Sequence, residues 1–374
     1  MIFIGAGFSK PAGLPLGSEL FLEVRRLTSA RYGRDNHLES DLARFIKYLE
    51  ICEGRFESPD SVDYEEFLGF LDVEHYLGLK GKDTWSSEGN ESQLIARRAI
   101  AQIIHERTPE QPPAEYRRFA RELNHTDWIL TFNYDTLLES ALEAENIAYR
   151  LYPHRYSEIG WGGNTIDNSH DELVILKLHG SINWFDRNIY DKRVLEAREC
   201  PVPYKVKHAI FGPDRIVESF PITDGPRPKN DPLASIFQIT DMGPILKREF
   251  WECCPLILPP SQTKIFYVQP LRDFWWGIQR TGGLQLSLGV LGYSLPPYDA
   301  YSRQALYHVF MNYTGYEPDF EFDGRRKTKI RILDYRPDAS SAAELQARYR
   351  FADPNRTEIR LDGFNEESID WFLR

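Results

Sequence analysis

Three short apolar runs in this 374-residue chain are each followed closely by a polar cluster, and this arrangement constrains the fold more than any other feature. The pairs are Ile2-Phe3-Ile4 with Gly5-Ala6-Gly7-Phe8-Ser9, Trp128-Ile129-Leu130 with Asn133-Tyr134-Asp135, and Val174-Ile175-Leu176 with His179-Gly180-Ser181. Continuous apolar runs are typical of parallel strands buried on both faces. We therefore predict an α/β fold with a Rossmann-like parallel sheet and a ligand beyond the carboxyl ends of its strands.

Helical periodicity dominates the stretch between the first and second of these strands. Apolar residues from Leu38 to Leu49 recur every three or four positions, as one face of a helix requires. Similar patterns predict helices near residues 64–79, 93–106 and 114–123. We interpret residues 37–124 as a helical module inserted into a core formed by residues 1–36 and 125–335.

The second half of the chain predicts further strands at residues 255–258, 286–291 and 329–333. Helices are predicted at residues 271–280 and 300–313, and two more at 342–349 and 366–373 in a C-terminal extension, 336–374. Residues 187–241 are rich in proline, glycine and charge, so we predict an irregular excursion or lid there. The first strand lacks the usual residues before Ile2, which leaves open a native start upstream of Met1.

Composition restricts the partners and the compartment. The net charge of −11 and the pI of about 5.4 argue against a surface for direct nucleic-acid binding. No stretch approaches the roughly 20 apolar residues that span a bilayer, so no membrane association is expected. The four cysteines form no C-x-x-C pair, and we expect reduced thiols, no zinc module, no metal and a cytoplasmic protein.

The polar clusters contain groups suited to binding and proton transfer. Gly5 and Gly7 allow backbone N–H groups to approach a phosphate, although Lys10 replaces the third glycine of the full fingerprint and a plain tight turn is the alternative. Asn133 can orient a water or a ribose hydroxyl, or it can be a turn residue beside a helix cap at Asp135 or Thr136.

Three more polar positions extend this edge of the predicted sheet. His179 can accept a proton near neutrality, or it can be a histidine hydrogen-bonded within a turn. Gly292 and Ser294 can contact phosphate or ribose after their strand, and Asp334 can hold ribose hydroxyls after the next one. Each of these is also an ordinary turn residue, and only their convergence at one edge favours a ligand site.

Taken in order, these motifs resemble the Sir2 (sirtuin) fold family. The resemblance rests on Gly5-Ala6-Gly7-Phe8-Ser9 with Gly13-Leu14-Pro15, Thr131-Phe132-Asn133-Tyr134-Asp135, Leu178-His179-Gly180-Ser181 and Gly292-Tyr293-Ser294. It implies NAD as a substrate, with its pyrophosphate on the glycine loop, its nicotinamide ribose near Asn133 and Asp135, and His179 as the base. The expected catalytic residues are Asn133 and His179, and the expected NAD-binding residues are Gly5, Ala6, Gly7, Ser9, Thr131, Asp135, Gly292, Ser294 and Asp334.

Departures from the deacylase pattern narrow the implied activity. Leu16-Gly17 replaces a Phe-Arg pair, the paired zinc cysteines are missing, and residues 293–297 replace the acyl-lysine motif. The chain is thus similar to the Sir2-like branch of bacterial anti-phage defence, in which water receives the ribose and NAD is depleted. The expected activity is an NAD⁺ glycohydrolase that yields nicotinamide and ADP-ribose. The alternatives are an NAD-dependent protein deacylase and a non-catalytic subunit that senses NAD or ADP-ribose.

The same resemblance implies an assembly. An unregulated NAD hydrolase would poison its host, so activity is expected to depend on a homo-oligomer or on a partner. In this branch a compact Sir2-like chain often works with a separate ATPase of the HerA type, which is an analogy and not a property of any residue here.

Overall fold

The computed structural model describes residues 1–80, 89–248, 253–258, 269–315, 321–322 and 324–373. These residues divide into two compact units. The sheet unit comprises residues 1–16, 107–179 and 271–374, and the helix-rich unit comprises residues 17–106 and 180–270. These limits do not follow the predicted boundaries one for one, because residues 17–36 belong to the helix-rich unit and residues 107–124 to the sheet unit.

The strands of the described chain are short. They are β1 (Ile2–Ile4), β2 (Trp128–Thr131), β3 (Tyr149–Arg150), β4 (Tyr156–Gly160), β5 (Gly163–Ile166), β6 (Leu173–Lys177), β7 (Trp184–Asp186), β8 (Ser219–Pro221), β9 (Ile236–Ile239), β10 (Gly289–Leu291), β11 (Glu321–Phe322), β12 (Arg325–Arg326), β13 (Ile330–Leu333) and β14 (Thr357–Arg360).

The helices carry most of the regular structure. They are α1 (Ala6–Ser9), α2 (Gly17–Tyr32), α3 (His37–Tyr48), α4 (Tyr64–Leu77), α5 (Glu91–Arg107), α6 (Ala114–Glu122), α7 (Leu137–Ala144), α8 (Arg187–Glu199), α9 (Gly243–Leu246), α10 (Arg272–Trp275), α11 (Ala300–Gly315), α12 (Ala339–Arg348) and α13 (Glu366–Leu373). A π-helical turn at Leu49–Glu53 continues α3, and short 3-10 helices occupy Lys10–Ala12, Pro232–Ser235 and Ile278–Arg280. None of the described helices is long and apolar enough to cross a membrane.

Within the described residues of the sheet unit, seven strands form one parallel sheet in the order β14-β13-β10-β1-β2-β6-β3. Every residue of β1, β6 and β10 is buried, so both faces of the sheet centre are covered. The predicted parallel α/β fold is confirmed. The chain runs outward from β1 to β2 and β6 on one side and from β10 to β13 and β14 on the other, which places a topological switch point beside β1.

Several local predictions differ from the structure. The segment 187–241 contains the helix α8 and the strands β8 and β9, and β7, β9 and β8 form a small antiparallel sheet of the helix-rich unit. Residues 255–258 contribute only an isolated bridge between Gly180 and Ile257. The helix predicted at 271–280 is interrupted by Gly277, whose φ of 85° is left-handed.

The C-terminal extension is part of the sheet unit and supplies its edge strand β14. The sequence analysis did not predict this strand, because Ile359 is the single apolar residue of Thr357–Arg360 and gives no periodic pattern. The two helices predicted there are present as α12 and α13. The extension thus completes the sheet beyond β13.

In the helix-rich unit, His208 is a half-buried hydrogen-bond acceptor. Its Nδ1 accepts hydrogen bonds from the amides of Ile210 and Phe211 at 3.2 and 3.1 Å. Burial, with a smaller effect from Arg193, lowers the pKa of His208 from 6.5 to about 4. The unfolded chain therefore binds this proton at a higher pH than the folded chain, and stability that is present above the unfolded pKa is lost as the pH falls toward 4.

We expect the urea midpoint of the wild type to fall more steeply between pH 7.5 and 5 than that of His208→Asn. The Asn side chain offers an oxygen acceptor in place of Nδ1 and cannot be protonated in this range. Between pH 7.5 and 5 the free energy of unfolding of the wild type should fall by about 2 kcal/mol more than that of His208→Asn. His125→Asn, a change at an exposed histidine, is the control and should keep the wild-type slope. Parallel pH profiles for the wild type and His208→Asn would contradict the assignment.

Candidate active site

The loops after β1 and β10 touch through their backbones. A Cβ on Gly292 would lie 2.1 Å from the Phe8 nitrogen, and a Cβ on Gly7 would lie 2.9 Å from Gly292 Cα. Gly292 also has a φ of 63°, which disfavours any side chain. The amide of Gly7 donates to the Gly292 carbonyl at 2.8 Å, and that of Gly5 donates to Leu291 at 2.9 Å. The close contact between the two loops therefore explains why glycine stands at these positions. The exposed residue of the loop is Ala6, the first residue of α1.

A cluster of aromatic side chains around Phe8 holds the glycine loop in place. The Phe8 ring lies 5.0 Å from the ring of Tyr116, 5.6 Å from that of Phe119 and 4.9 Å from that of Phe364, between centroids. The Tyr116 hydroxyl donates to the Phe8 carbonyl at 2.7 Å. Because Phe8 is 1% exposed, the loop is held by apolar packing as well as by hydrogen bonds.

Asn133 bridges the loop after β2 and the glycine loop. Its Nδ2 donates to the Gly5 carbonyl and to Ser9 Oγ, both at 3.1 Å, and its own amide donates to Thr131 Oγ1 at 3.1 Å. The carbonyl acceptor fixes the orientation of the carboxamide. Among the described residues no hydrogen bond uses Asn133 Oδ1, so this oxygen remains as an acceptor for a ligand. Ser9 and Thr131 therefore position Asn133.

The carboxylate of Asp135 is hydrogen-bonded to other groups of the protein. Its Oδ1 accepts from the Leu137 amide, the first amide of α7, at 3.0 Å, whereas the N-cap residue is Thr136 and its side chain makes no capping hydrogen bond. Burial raises the pKa of Asp135, and the charge of Lys177, the Leu137 amide and the Ser9 hydroxyl oppose that rise. Lys177, which is fully buried, also bonds Glu139 at 2.6 Å and the Asp135 carbonyl. This buried network holds the turn that carries Asn133.

His179 follows β6 in a buried aromatic environment. The centroid of its ring lies 5.2 Å from that of Phe132 and 6.0 Å from that of Trp275, and Trp275 Nε1 donates to the Leu178 carbonyl at 3.0 Å. Phe132, next to Asn133 in the chain, also stacks on Tyr293 with centroids 4.1 Å apart. Phe132 thus links the surroundings of Asn133 and His179. Desolvation by these rings strengthens electrostatic interactions at the imidazole.

A carboxylate that the sequence analysis did not select faces His179. Asp299 Oδ2 lies 3.5 Å from His179 Nε2 and accepts from the Tyr293 hydroxyl at 2.7 Å. Burial and the charge of Asp299 raise the pKa of Tyr293 well above its usual value, so Tyr293 stays protonated and acts as a donor. The available sequence signal was an aspartate directly before α11, which resembles an ordinary helix cap.

The two remaining candidates, Ser294 and Asp334, bond to arginine side chains instead. The Asp334 carboxylate accepts from the Tyr335 amide at 2.8 Å and pairs with Arg336 at 2.8 Å. The Ser294 carbonyl accepts from Arg348 at 3.1 Å. Within the described chain no hydrogen bond or ion pair links Ser294 or Asp334 to Asn133 or His179. A ribose hydroxyl would therefore meet Asp334 either beside Arg336 or in its place.

Gly292→Ala should destabilise the sheet unit by about 3 kcal/mol or more, because its Cβ would meet backbone atoms that cannot swing aside. The matched control is Gly78→Ala, where φ is also 63° and no atom lies within 4 Å of the added Cβ. That change should cost only about 1 to 2 kcal/mol, the penalty of the backbone conformation alone. Urea unfolding measures both, and equal costs would show that the contact with the glycine loop is unimportant.

A comparison with known families finds a match to part of the chain. Residues 127–204 match the family model described as a SIR2-like domain, and the matched segment contains Thr131, Asn133, Asp135 and His179. The curated proteins give no match to the chain. In the described residues no group of three or more His, Cys, Asp or Glu side chains is arranged to hold a metal ion. The match supports a relationship to the Sir2-like family and indicates a protein that binds or uses NAD.

Proposed function

We propose that this protein is an NAD⁺ glycohydrolase that cleaves the nicotinamide–ribose bond and releases nicotinamide and ADP-ribose. The observation that carries the proposal is the pairing of a rigid carboxamide and a buried imidazole on the carboxyl ends of the adjacent strands β2 and β6. Asn133 supplies an acceptor of fixed direction, and His179 supplies a base within an aromatic environment.

The chemistry of the bond suits these groups. The C1′–N1 bond breaks with its electron pair going to the ring, so a cationic nicotinamide leaves as a neutral molecule and needs no strong general acid. Water supplies the new C1′–O bond, and one proton is released for each NAD⁺ consumed. The protein then has to stabilise a cationic ribose, orient the water and accept its proton. Asn133 Oδ1 can orient the water, and His179 can take the proton.

The residues present also fit NAD as the ligand. Ala6 is exposed at the start of the glycine loop, where the first amide of α1 has no partner within the helix. The family resemblance assigns the pyrophosphate to this loop. Gly5 and Gly7 contribute by allowing the loop to approach Gly292, which determines where the Ala6 amide lies.

Hydrolysis is favoured over protein deacylation by the sequence. Leu16 and Gly17 occupy the positions of the Phe-Arg pair of the deacylases, and Tyr293 begins a segment that replaces their acyl-lysine motif. Tyr293 and Leu295 are buried, so this segment is part of the core. A requirement for an acylated lysine peptide in product formation would instead establish the deacylase.

We further propose that the activity serves anti-phage defence and is held in check until a homo-oligomer or a HerA-type ATPase partner is assembled. The support is the toxicity of uncontrolled NAD loss, together with the resemblance to the defence branch. Nicotinamide release should therefore be measured with the protein alone and with an ATPase encoded beside it. Binding of NAD or ADP-ribose without release under either condition would favour a sensing subunit.

His179→Ala should lower nicotinamide release by at least about 100-fold, since removal of a general base typically costs this much. Asn133→Ala should lower it similarly and should also reduce thermal stability, because Gly5 and Ser9 lose their donor. Liquid chromatography of NAD reactions measures the loss. His170→Ala, at an exposed histidine, is the control and should retain activity. Wild-type turnover in both site variants would refute the assignment of the active site.

A further inference from the structure

Asp299 is a buried carboxylate at the edge of the candidate active site. It directly precedes α11 and is 1% exposed. Its Oδ1 accepts from the Ser302 amide at 3.4 Å, while its Oδ2 accepts from the Tyr293 hydroxyl and faces His179 Nε2. Oδ1 thus contacts the helix, and Oδ2 faces the imidazole.

Helix capping alone does not account for this arrangement. A cap needs one side-chain oxygen, and Ser or Asn serves about as well as Asp. A carboxylate removed from water costs free energy unless donors or an opposite charge compensate it. Tyr293 and Ser302 are neutral donors, whereas His179 provides a positive charge once it has accepted a proton. The N-terminus of α11 favours a negative charge at Asp299 without requiring one, whereas stabilisation of a protonated His179 does require the charge.

The orientation of the imidazole follows from this contact. A carboxylate accepts hydrogen bonds and cannot donate them, and Tyr293 already donates to Oδ2. A neutral imidazole can hydrogen-bond to Asp299 only through Nε2–H, and Nδ1 is then the nitrogen that can take a proton. Tyr293 holds Oδ2 in place from the other side, in the way that outer hydrogen bonds fix the orientation of a reactive group.

We propose that Asp299 is a positioning residue for His179, which selects the Nε2–H tautomer and stabilises the imidazolium formed when Nδ1 accepts a proton. This inference rests on the proposed hydrolysis for its effect on rate, but its effect on the imidazole is independent of any reaction. Asp299 itself makes and breaks no bond. The same logic governs a histidine base paired with an aspartate in hydrolases of unrelated fold.

The first test is Asp299→Asn, which keeps the size of the side chain and a capping oxygen but removes the charge. With Oδ1 still accepting from Ser302, the new Nδ2 faces His179 and favours the opposite tautomer. We expect kcat for nicotinamide release to fall at least about 100-fold. KM and the affinity for ADP-ribose, measured by calorimetry, should change by less than about threefold, because Asp299 is only 1% exposed.

Two further variants separate positioning from structure. Asp299→Ser retains a capping hydroxyl and should show the same loss of kcat, so a defective cap cannot be the cause. Asp338→Asn is the matched control, since Asp338 caps α12 through the Ser341 amide and is exposed. It should leave kcat unchanged. Wild-type kcat in both Asp299 variants, with melting temperatures preserved, would overturn the proposal.

The decisive measurement needs no turnover. Histidine ¹⁵N chemical shifts of the labelled full chain report which imidazole nitrogen carries the proton, and His179→Ala identifies the His179 signals. We expect the Nε2–H tautomer in the wild type and a shift toward Nδ1–H in Asp299→Asn. An unchanged tautomer in Asp299→Asn would overturn the proposal. The expected tautomers in a protein that releases no nicotinamide would support it and count against the proposed hydrolysis alone.

Discussion

The close approach of the loops after β1 and β10 is the constraint on which the site depends. Gly292 has no room for a side chain beside the Phe8 nitrogen, and Gly5 and Gly7 have none beside Gly292 and Tyr293. Since β1 lies at the centre of the sheet, this contact fixes the position of the glycine loop relative to the sheet. Asn133 then takes its orientation from Gly5 and Ser9. A change at Gly292 thus displaces groups that it never touches.

The polar residues of the candidate site divide into those that hold the loops in place and the two that are candidates for chemistry. Four side chains are hydrogen-bonded within the protein, those of Ser9, Thr131, Asp135 and Lys177. The carboxylate of Asp334 is paired with Arg336. Asn133 keeps one oxygen for a ligand, and His179 is supported by Asp299. Such division is expected where a few groups must be held rigidly, because an oriented group loses little entropy when it reacts. Most of the polar strand ends of the sequence therefore support the two candidate catalytic side chains, Asn133 and His179.

Prediction from sequence succeeded where the signal is local. Continuous apolar runs identified β1, β2 and β6, and helical periodicity identified α3 to α6. It failed where regular structure depends on distant partners. Strand β14 is recognisable only because β13 lies beside it, and among the described residues 255–258 pair with Gly180 through a single bridge. The helices and strands within 187–241 were missed because proline and glycine in the segment obscure their short patterns.

The sequence by itself determined the parallel α/β sheet, the polar strand ends, and the pairing of Asn133 with His179 as candidates, because strand periodicity and the chemistry of side chains are local properties. Tertiary structure decided what each candidate does. In the folded chain the glycines allow backbone contact, Asp135 accepts from the first amide of α7, and Asp334 pairs with Arg336. Asp299 lies 3.5 Å from His179, 120 positions away in the sequence. The physical reason is that hydrogen-bond partners and desolvation are set by neighbours in space, which no local pattern specifies.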